Sequence, residues 1–309
     1  KLVGDLATDP GTPSDGGRTW TFTLKDGVRW EDGSPITSED VKWTIERLFA
    51  PHITYGPTYI QQWLTGEEDY KKVYGGPYDG KRLDAIETPD DKTVVFHFKE
   101  PHADANFALA MTGYAIVPKA KDTKEKYDKQ PVSSGPYRIT EHTPDKSMVM
   151  ERNPHWDPAT DPIRKALPDR YEIYLGVNAD DLDNRVISGD LHVDLAGTGV
   201  QPAALGRVLS DPQLKERVDN PTGARTWYIP IVPDVKPLDN VECRKAIIYA
   251  ADRVSLQQAY GGEFAGGEIA TGLMPPSIDG WKRIDLYPTG TGDLEKAKEA
   301  LAKCGQPNG

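Results

Sequence analysis

The stretch WTFTLKDGVRWEDGSPITSEDV, Trp20–Val41, says more about structure than any other part of the 309-residue chain. Thr19–Leu24 alternates with period two, which places Trp20, Phe22 and Leu24 on one face of a strand. Asp26-Gly27 is a turn dipeptide, and Val28-Arg29-Trp30 resumes the extended chain before Asp32-Gly33, so a hairpin is predicted. Ser34–Asp40 then opens a helix. Thr37 or Ser38 can cap it, and the carboxylates of Glu39 and Asp40 oppose the positive end of its dipole. Val41, Ile45, Leu48 and Phe49 follow at helical spacing as a buried stripe, and Pro51 closes the element.

Beyond this stretch, residues 51–82 read as irregular and rich in Tyr, Gly and Trp, either a functional loop or a small inserted lobe. Thr93–Phe98 is the next strand, with His97 on the face opposite Phe96 and Phe98 and so toward solvent. Tyr137–Thr140 and Ser147–Met150 form a strand pair bounded by Pro and Gly. From residue 170 strands and helices alternate. Tyr171–Leu175 is a strand, Ala179–Ser188 a helix stopped by Gly189, and Leu191–Leu195 another strand. Gln201-Pro202 begins a helix with Pro in its first turn, and Arg225–Ile231 is a strand. Val241–Tyr260 is helical with a break near Asp252-Arg253. Asp293 caps a last helix whose Leu294, Ala297, Leu301 and Cys304 share a face, stopped by Gly305. Such alternation means an α/β lobe.

Composition narrows the functional classes. Hydrophobic residues make up 37% and charged residues 28%, so a packed core is expected. The net charge of −11, from 48 acidic against 37 basic residues, has the wrong sign for a nucleic-acid binder. The longest basic cluster, Lys119–Lys129, is interleaved with Asp122, Glu125 and Asp128 and reads as a solvated helix face. The most apolar stretch, Phe107–Pro118, is interrupted by Thr112, Gly113 and Tyr114, well short of the roughly 18 residues a membrane span needs. Lys1-Leu2-Val3 runs into Gly4-Asp5 without the apolar region of a signal peptide. The two cysteines, Cys243 and Cys304, fit either a disulfide or two separate thiols on spacing alone.

Catalytic patterns are absent. There is no G-x-G-x-x-G, phosphate loop, G-x-S-x-G elbow or H-E-x-x-H, and Gly197-Thr198-Gly199 and Gly290-Thr291-Gly292 read as turns. The six histidines have no metal-ligand spacing, so no metal and no cofactor is expected. Asp180-Asp181 opens a helix, where the dipole accounts for it. Ser133–Tyr137 reads as a Ser-Gly-Pro turn rather than a nucleophile loop. The remaining signal is aromatic: seven Trp and fourteen Tyr, several of them in Pro/Gly loops, including Tyr55, Tyr59, Trp156, Trp227 and Tyr228. Such rings bury area and still offer a hydrogen bond, which suits a ligand cleft, although lobe packing would use them too.

Taken in order, these residues resemble the family 5 extracellular solute-binding proteins, the peptide receptors of ABC importers. Trp20–Val41 is similar to the family signature, Pro131–Tyr137 to its PVGTGPY turn, and Glu151–Trp156 to RNPxYW. Ser188-Gly189-Asp190 before Val193-Asp194 resembles SGExD, and Pro237–Ala246 with Tyr249–Arg253 resembles PFxDxRVRQALxxAxDR. The resemblance implies a periplasmic-binding-protein-like class II α/β fold, with two lobes and an additional small α+β domain on the first lobe, incomplete here. On that template residues 1–18 are the edge of lobe I, 19–130 the additional domain and 131–224 lobe I. Residues 225–236 are then the crossover and 237–309 the beginning of lobe II. Family chains are longer, so the chain resembles a fragment truncated at both ends. Tyr228 matches a peptide-contacting crossover tyrosine, with Trp227 beside it. Gly197 and Thr198 match a first-lobe cleft loop, and Tyr55 or Tyr59 the cleft aromatic of the additional domain. Work outside the cytoplasm favours a Cys243–Cys304 disulfide.

The function so implied is that of a non-enzymatic, monomeric receptor. It would capture peptide between two lobes and deliver it to a membrane permease, extracellularly, with a lipid anchor outside the chain or in a periplasm. An oligosaccharide or a metal chelate would suit the same fold. A ligand-sensing domain of a regulator and a cleft hydrolase are rivals from other classes.

Overall fold

The structure is a computed structural model that describes residues 2–308 apart from Thr222 and Ala224. The chain divides into two compact units, Lys1–Val177 and Asn178–Gly309.

The first unit is built on an antiparallel sheet of β1 (Thr12–Ser14), β2 (Thr19–Thr23), β3 (Ile86–Glu87) and β4 (Thr93–His97), ordered β1-β2-β4-β3. The register opposes Trp20 to Phe96, so the apolar face read in the sequence is continuous across the central pair. Against that face pack α1 (Ser38–Arg47), α2 (Tyr59–Thr65) and α3 (Ala105–Leu109), which bury Ile45, Phe49, Ile60, Leu64 and Ala105. Helix α1 begins at Thr37 as expected. The Asp40 carboxylate reaches back to accept from the Thr37 backbone N–H at 3.1 Å, which satisfies an otherwise unpaired donor. The predicted hairpin is displaced. β2 pairs with β1 and β4, and the tight hairpin lies further on, where Trp30 N–H donates to Ser34 at 2.9 Å and Ile36 N–H to Val28 at 3.2 Å. The central position of β2 is already filled on both edges, so Val28–Trp30 cannot join it. Residues 51–82 are also more regular than expected, since they include α2.

The same unit carries a second antiparallel sheet, β5 (Tyr137–Thr143), β6 (Ser147–Arg152) and β7 (Arg170–Tyr174), in that order. The turn that leads into it is held by Ser133, whose Oγ donates to Tyr137 O and accepts from Gly135 N–H at 3.1 Å. That hydroxyl is engaged in the turn.

Asp122 corrects the expectation of a solvated basic helix face. The Lys119–Lys129 segment folds as short 3-10 turns, and the Asp122 side chain is 1% exposed. It accepts from Trp43 Nε1 at 2.9 Å, Tyr78 OH at 2.6 Å, Lys124 N–H at 2.9 Å and Arg47 Nε at 3.3 Å. Sequence spacing could not show this, because the four donors come from three separate segments. Burial alone would raise the carboxyl, but the Tyr78, Lys124 and Trp43 hydrogen bonds and the Arg47 charge outweigh it and lower its pKa.

The second unit is helical among its described residues: α4 (Ala179–Ser188), α5 (Pro202–Ser210), α6 (Pro212–Lys215), α7 (Val241–Ala250), α8 (Arg253–Ala259), α9 (Gly262–Ala265) and α10 (Leu294–Lys303). Gly189 ends α4 at φ +91°, and the Asp293 side chain caps α10 by accepting from Lys296 N–H at 3.0 Å. Leu191–Leu195 and Arg225–Ile231, both expected as strands, are not strands. Their alternation suits a sheet, but a strand exists only through a neighbour, and neither segment has one among the described residues. Cys243 and Cys304 form a disulfide, with Cα atoms 5.3 Å apart, joining α7 to the end of α10. No helix among the described residues is long and apolar enough to cross a membrane.

Two outcomes are expected. Asp122→Ala leaves the buried Arg47 charge unpaired and should cost about 3–5 kcal/mol in urea unfolding of the first unit. The lowered carboxyl contributes stability that is complete above the unfolded carboxylate range near about 4 and drains as pH falls through the folded value. Acid sensitivity of the first unit should therefore shrink in the variant. Reduction, or Cys243→Ala with Cys304→Ala, releases a loop of sequence separation 61 and should destabilise α7 and α10 by about 4 kcal/mol. Hydrogen exchange in those helices checks it, and unchanged rates would contradict it.

Candidate functional site

The residues singled out for ligand contact fall in both units. In the first, Tyr55 lies in the segment between α1 and α2 and is 82% exposed. The segment is seated by Pro57, which rests against Gly113 where any side chain would collide with it. Ile60 N–H donates to Tyr114 OH at 3.1 Å, and Tyr114 OH donates to Gln61 Oε1 at 3.2 Å, fixing the start of α2. Tyr59, the first residue of α2, is half exposed and lies 5.9 Å from the Trp63 ring. Trp63 stacks on His102 at 4.0 Å, and burial lowers the His102 pKa. Tyr59 is thus the outer member of a three-ring ladder that runs through Trp63 to His102. Phe107 on α3 and Met111 just after it are also exposed, and sequence inspection did not single them out. Their only signal is the apolar stretch first weighed as a membrane segment.

In the second unit Gly197 and Thr198 form an exposed loop. The Asp194 carboxylate holds it, accepting from Gly197 N–H at 3.1 Å and Gly199 N–H at 3.0 Å. Gly197 sits at φ +66°, so glycine is needed there for the loop to turn back onto the carboxylate. Trp227 and Tyr228 are 82% and 66% exposed, and Trp227 stacks on Tyr260 at 6.3 Å. Tyr55 and Tyr59 therefore belong to one unit, and Gly197, Thr198, Trp227 and Tyr228 to the other.

The first unit also holds a cavity of about 360 Å³ lined by Asp5, Arg29, Ser134, His155, Trp156 and Arg164. Arg164 is paired there with both Asp5 oxygens, at 2.8 and 2.9 Å, and with Asp161 at 2.9 Å, so its charge is shared between two carboxylates. Among the described residues no group of three or more His, Cys, Asp or Glu is placed to hold a metal ion.

Comparison with known proteins gives these features a context. The profile of the bacterial extracellular solute-binding proteins, family 5, middle region, matches residues 1–309. The chain belongs to this family. Among family 5 relatives, the oligopeptide-binding protein OppA of Bacillus subtilis is 27% identical over 302 residues, which is 93% of this chain and 51% of that protein. The dipeptide-binding protein of Escherichia coli is 26% identical over 315 residues, covering 96% of this chain and 54% of that one. A solved structure, clavulanic acid biosynthesis oligopeptide binding protein 2, superposes with a TM-score of 0.89 at 43% identity, over 99% of this chain and 56% of that one. The family 5 fold, a periplasmic-binding-protein architecture, is therefore established, and the chain spans about half the length of the relatives it matches.

Asp194→Ala should loosen the Gly197–Gly199 loop. Losing its two hydrogen bonds, about 1 kcal/mol each, is expected to speed amide exchange at Gly197 and Gly199 roughly fivefold or more. Exchange at the wild-type rate would show that the loop holds itself.

Proposed function

We propose that the chain is the larger part of the ligand-capturing component of an ABC importer. The complete receptor binds peptides outside the cytoplasm and hands them to a membrane permease. The observation that carries this is the family match over all 309 residues, together with relatives whose names are those of oligopeptide- and dipeptide-binding proteins. The exposed rings support it. Tyr55, Tyr59, Trp227 and Tyr228 keep large amphipathic surfaces free of the core, the kind of surface that takes peptide side chains tolerantly while hydroxyls and main-chain groups fix orientation.

Residues 1–18 are assigned to the edge of lobe I, 19–130 to the additional domain of that lobe and 131–224 to lobe I itself. Residues 225–236 are assigned to the crossover and 237–309 to the start of lobe II. The complete receptor works by closure: peptide binds the closed state more tightly than the open one, and only that difference drives the change. The disulfide between α7 and α10 suits a protein working outside the cytosol, monomeric and either lipid-anchored or periplasmic.

Calorimetry on the full receptor with tri- and tetrapeptide pools tests this. A Kd of about 1 µM or tighter is expected, and Tyr228→Ala should weaken it about tenfold, or about 1.4 kcal/mol. Binding of an oligosaccharide or a metal chelate in place of peptide would move the assignment to that solute. Turnover of the ligand would replace the receptor by an enzyme.

A further inference from the structure

The two halves of the Cys243–Cys304 disulfide are unequally placed. Cys243, in the first turn of α7, is 3% exposed. Cys304, the residue after α10, is only half-buried and lines an open cavity of about 460 Å³. The rest of that lining is Lys236, Pro237, Asp239, Asn240 and Gln306, a polar surface that small polar solutes can enter. Exchange between a thiol and a disulfide needs an attacking thiolate to reach one sulfur, and the other sulfur to leave with the negative charge. Both requirements favour the same direction. Cys304 is the half that solvent reaches. Cys243 lies at the positive end of the α7 dipole, whereas Cys304 stands at the negative end of α10. Burial disfavours a charged Cys243, but the opposite direction would need attack on the half that is out of reach.

The bridge also ties only one end of the α7–α10 pair. At the other end Asp293 N–H donates to Tyr249 O at 2.7 Å, and a Cβ on Gly292 would stand 2.9 Å from that same oxygen, so the two backbones meet closely there. Lys296 Nζ lies over the Tyr249 ring at 5.9 Å. Besides Cys243, the buried residues of the two helices are Ala246, Ala297 and Ala300. Their side chains are small and bury little apolar area. The end of α10 next to the bridge therefore has little else to hold it.

We propose that Cys304 is a site of reversible exchange with small thiols, and that opening the bridge there releases the C-terminal end of α10 from α7. A thiolate bonds to Cys304 Sγ, the Sγ–Sγ bond breaks, and its electron pair leaves on Cys243 Sγ, which takes up a proton. The products are a mixed disulfide on Cys304 and a free thiol on Cys243. Once deprotonated, Cys243 attacks Cys304 Sγ, closes the bridge and expels the small thiol, so no external oxidant enters. The exchange stands independently of the peptide assignment.

Brief exposure of the complete receptor to limiting 2-mercaptoethanol, followed at once by N-ethylmaleimide and peptide mapping by mass spectrometry, tests the assignment. The folded protein should carry the mercaptoethanol adduct on Cys304 and the maleimide on Cys243, in about tenfold excess or more over the reverse pattern. Adduct mainly on Cys243, or equally on both, would overturn the inference. So would a folded protein that gains no adduct until urea is added, since the bridge is then sealed. Removing the thiol before alkylation should restore the unmodified mass, and an adduct that persists would contradict reversibility. In the adduct, hydrogen exchange should quicken about tenfold or more at the Cys304 and Gln306 amides, which donate to Ala300 O and Leu301 O, and stay within about twofold at Asp293. Equal acceleration at Asp293 would overturn the release of one end alone.

Discussion

A backbone amide or carbonyl taken out of water must find a partner, and the two units meet that requirement to different degrees. In the first, every strand of both sheets is paired, and β2 is paired on both edges. Its apolar face can therefore be buried without stranding main-chain groups, and Trp20, Phe96 and Phe49 are almost completely enclosed. In the second, helices supply their own main-chain partners, and among the described residues the segments between them are tied by scattered single hydrogen bonds such as Leu191 N–H to Arg185 O and Asp293 N–H to Tyr249 O. Helix contacts and one disulfide hold α7 against α10, and the aromatic segment between α6 and α7 stays largely exposed, with Trp227 stacked on Tyr260.

The interior of the first unit is also organised by carboxylates. Asp40, Glu46 and Asp122 lie around α1 and are nearly enclosed, and each accepts from groups distant in sequence. Glu46 takes Leu83 N–H and Arg82 Nε, both at 2.7 Å, and burial raises its pKa in spite of both. Isolated charges at such positions would be unfavourable. With two to four donors each they tie α1 to the segments around Tyr78, Leu83 and Lys119–Lys124.

Elements announced by local chemistry were legible in the sequence. Thr37 starts α1, Gly189 ends α4, Asp293 caps α10 and Asp252 divides α7 from α8, each through contacts within a few residues. Features set by distant partners were not. The Asp26-Gly27 dipeptide is a turn, but which strand it returns to depended on β4 occupying the neighbouring edge. Asp122 looked like one charge among many, because Trp43, Tyr78 and Arg47 reach it only in three dimensions. Helix α2 is too short to show periodicity, and Phe107 and Met111 were hidden in an apolar run of no clear period. For the site, aromatic residues in loops could be picked out by type, and the structure leaves Tyr55, Trp227 and Tyr228 exposed.

Membership of family 5, two separately packed units, exposed amphipathic rings and a disulfide all support the proposal that the complete receptor holds a solute. Native mass spectrometry of the complete receptor, taken directly from its host without refolding, tests that most directly. The expected spectrum shows the protein carrying a set of peptide masses that disappear on mild activation. A spectrum containing only bare protein, or protein loaded solely with non-peptide solutes, would contradict the account.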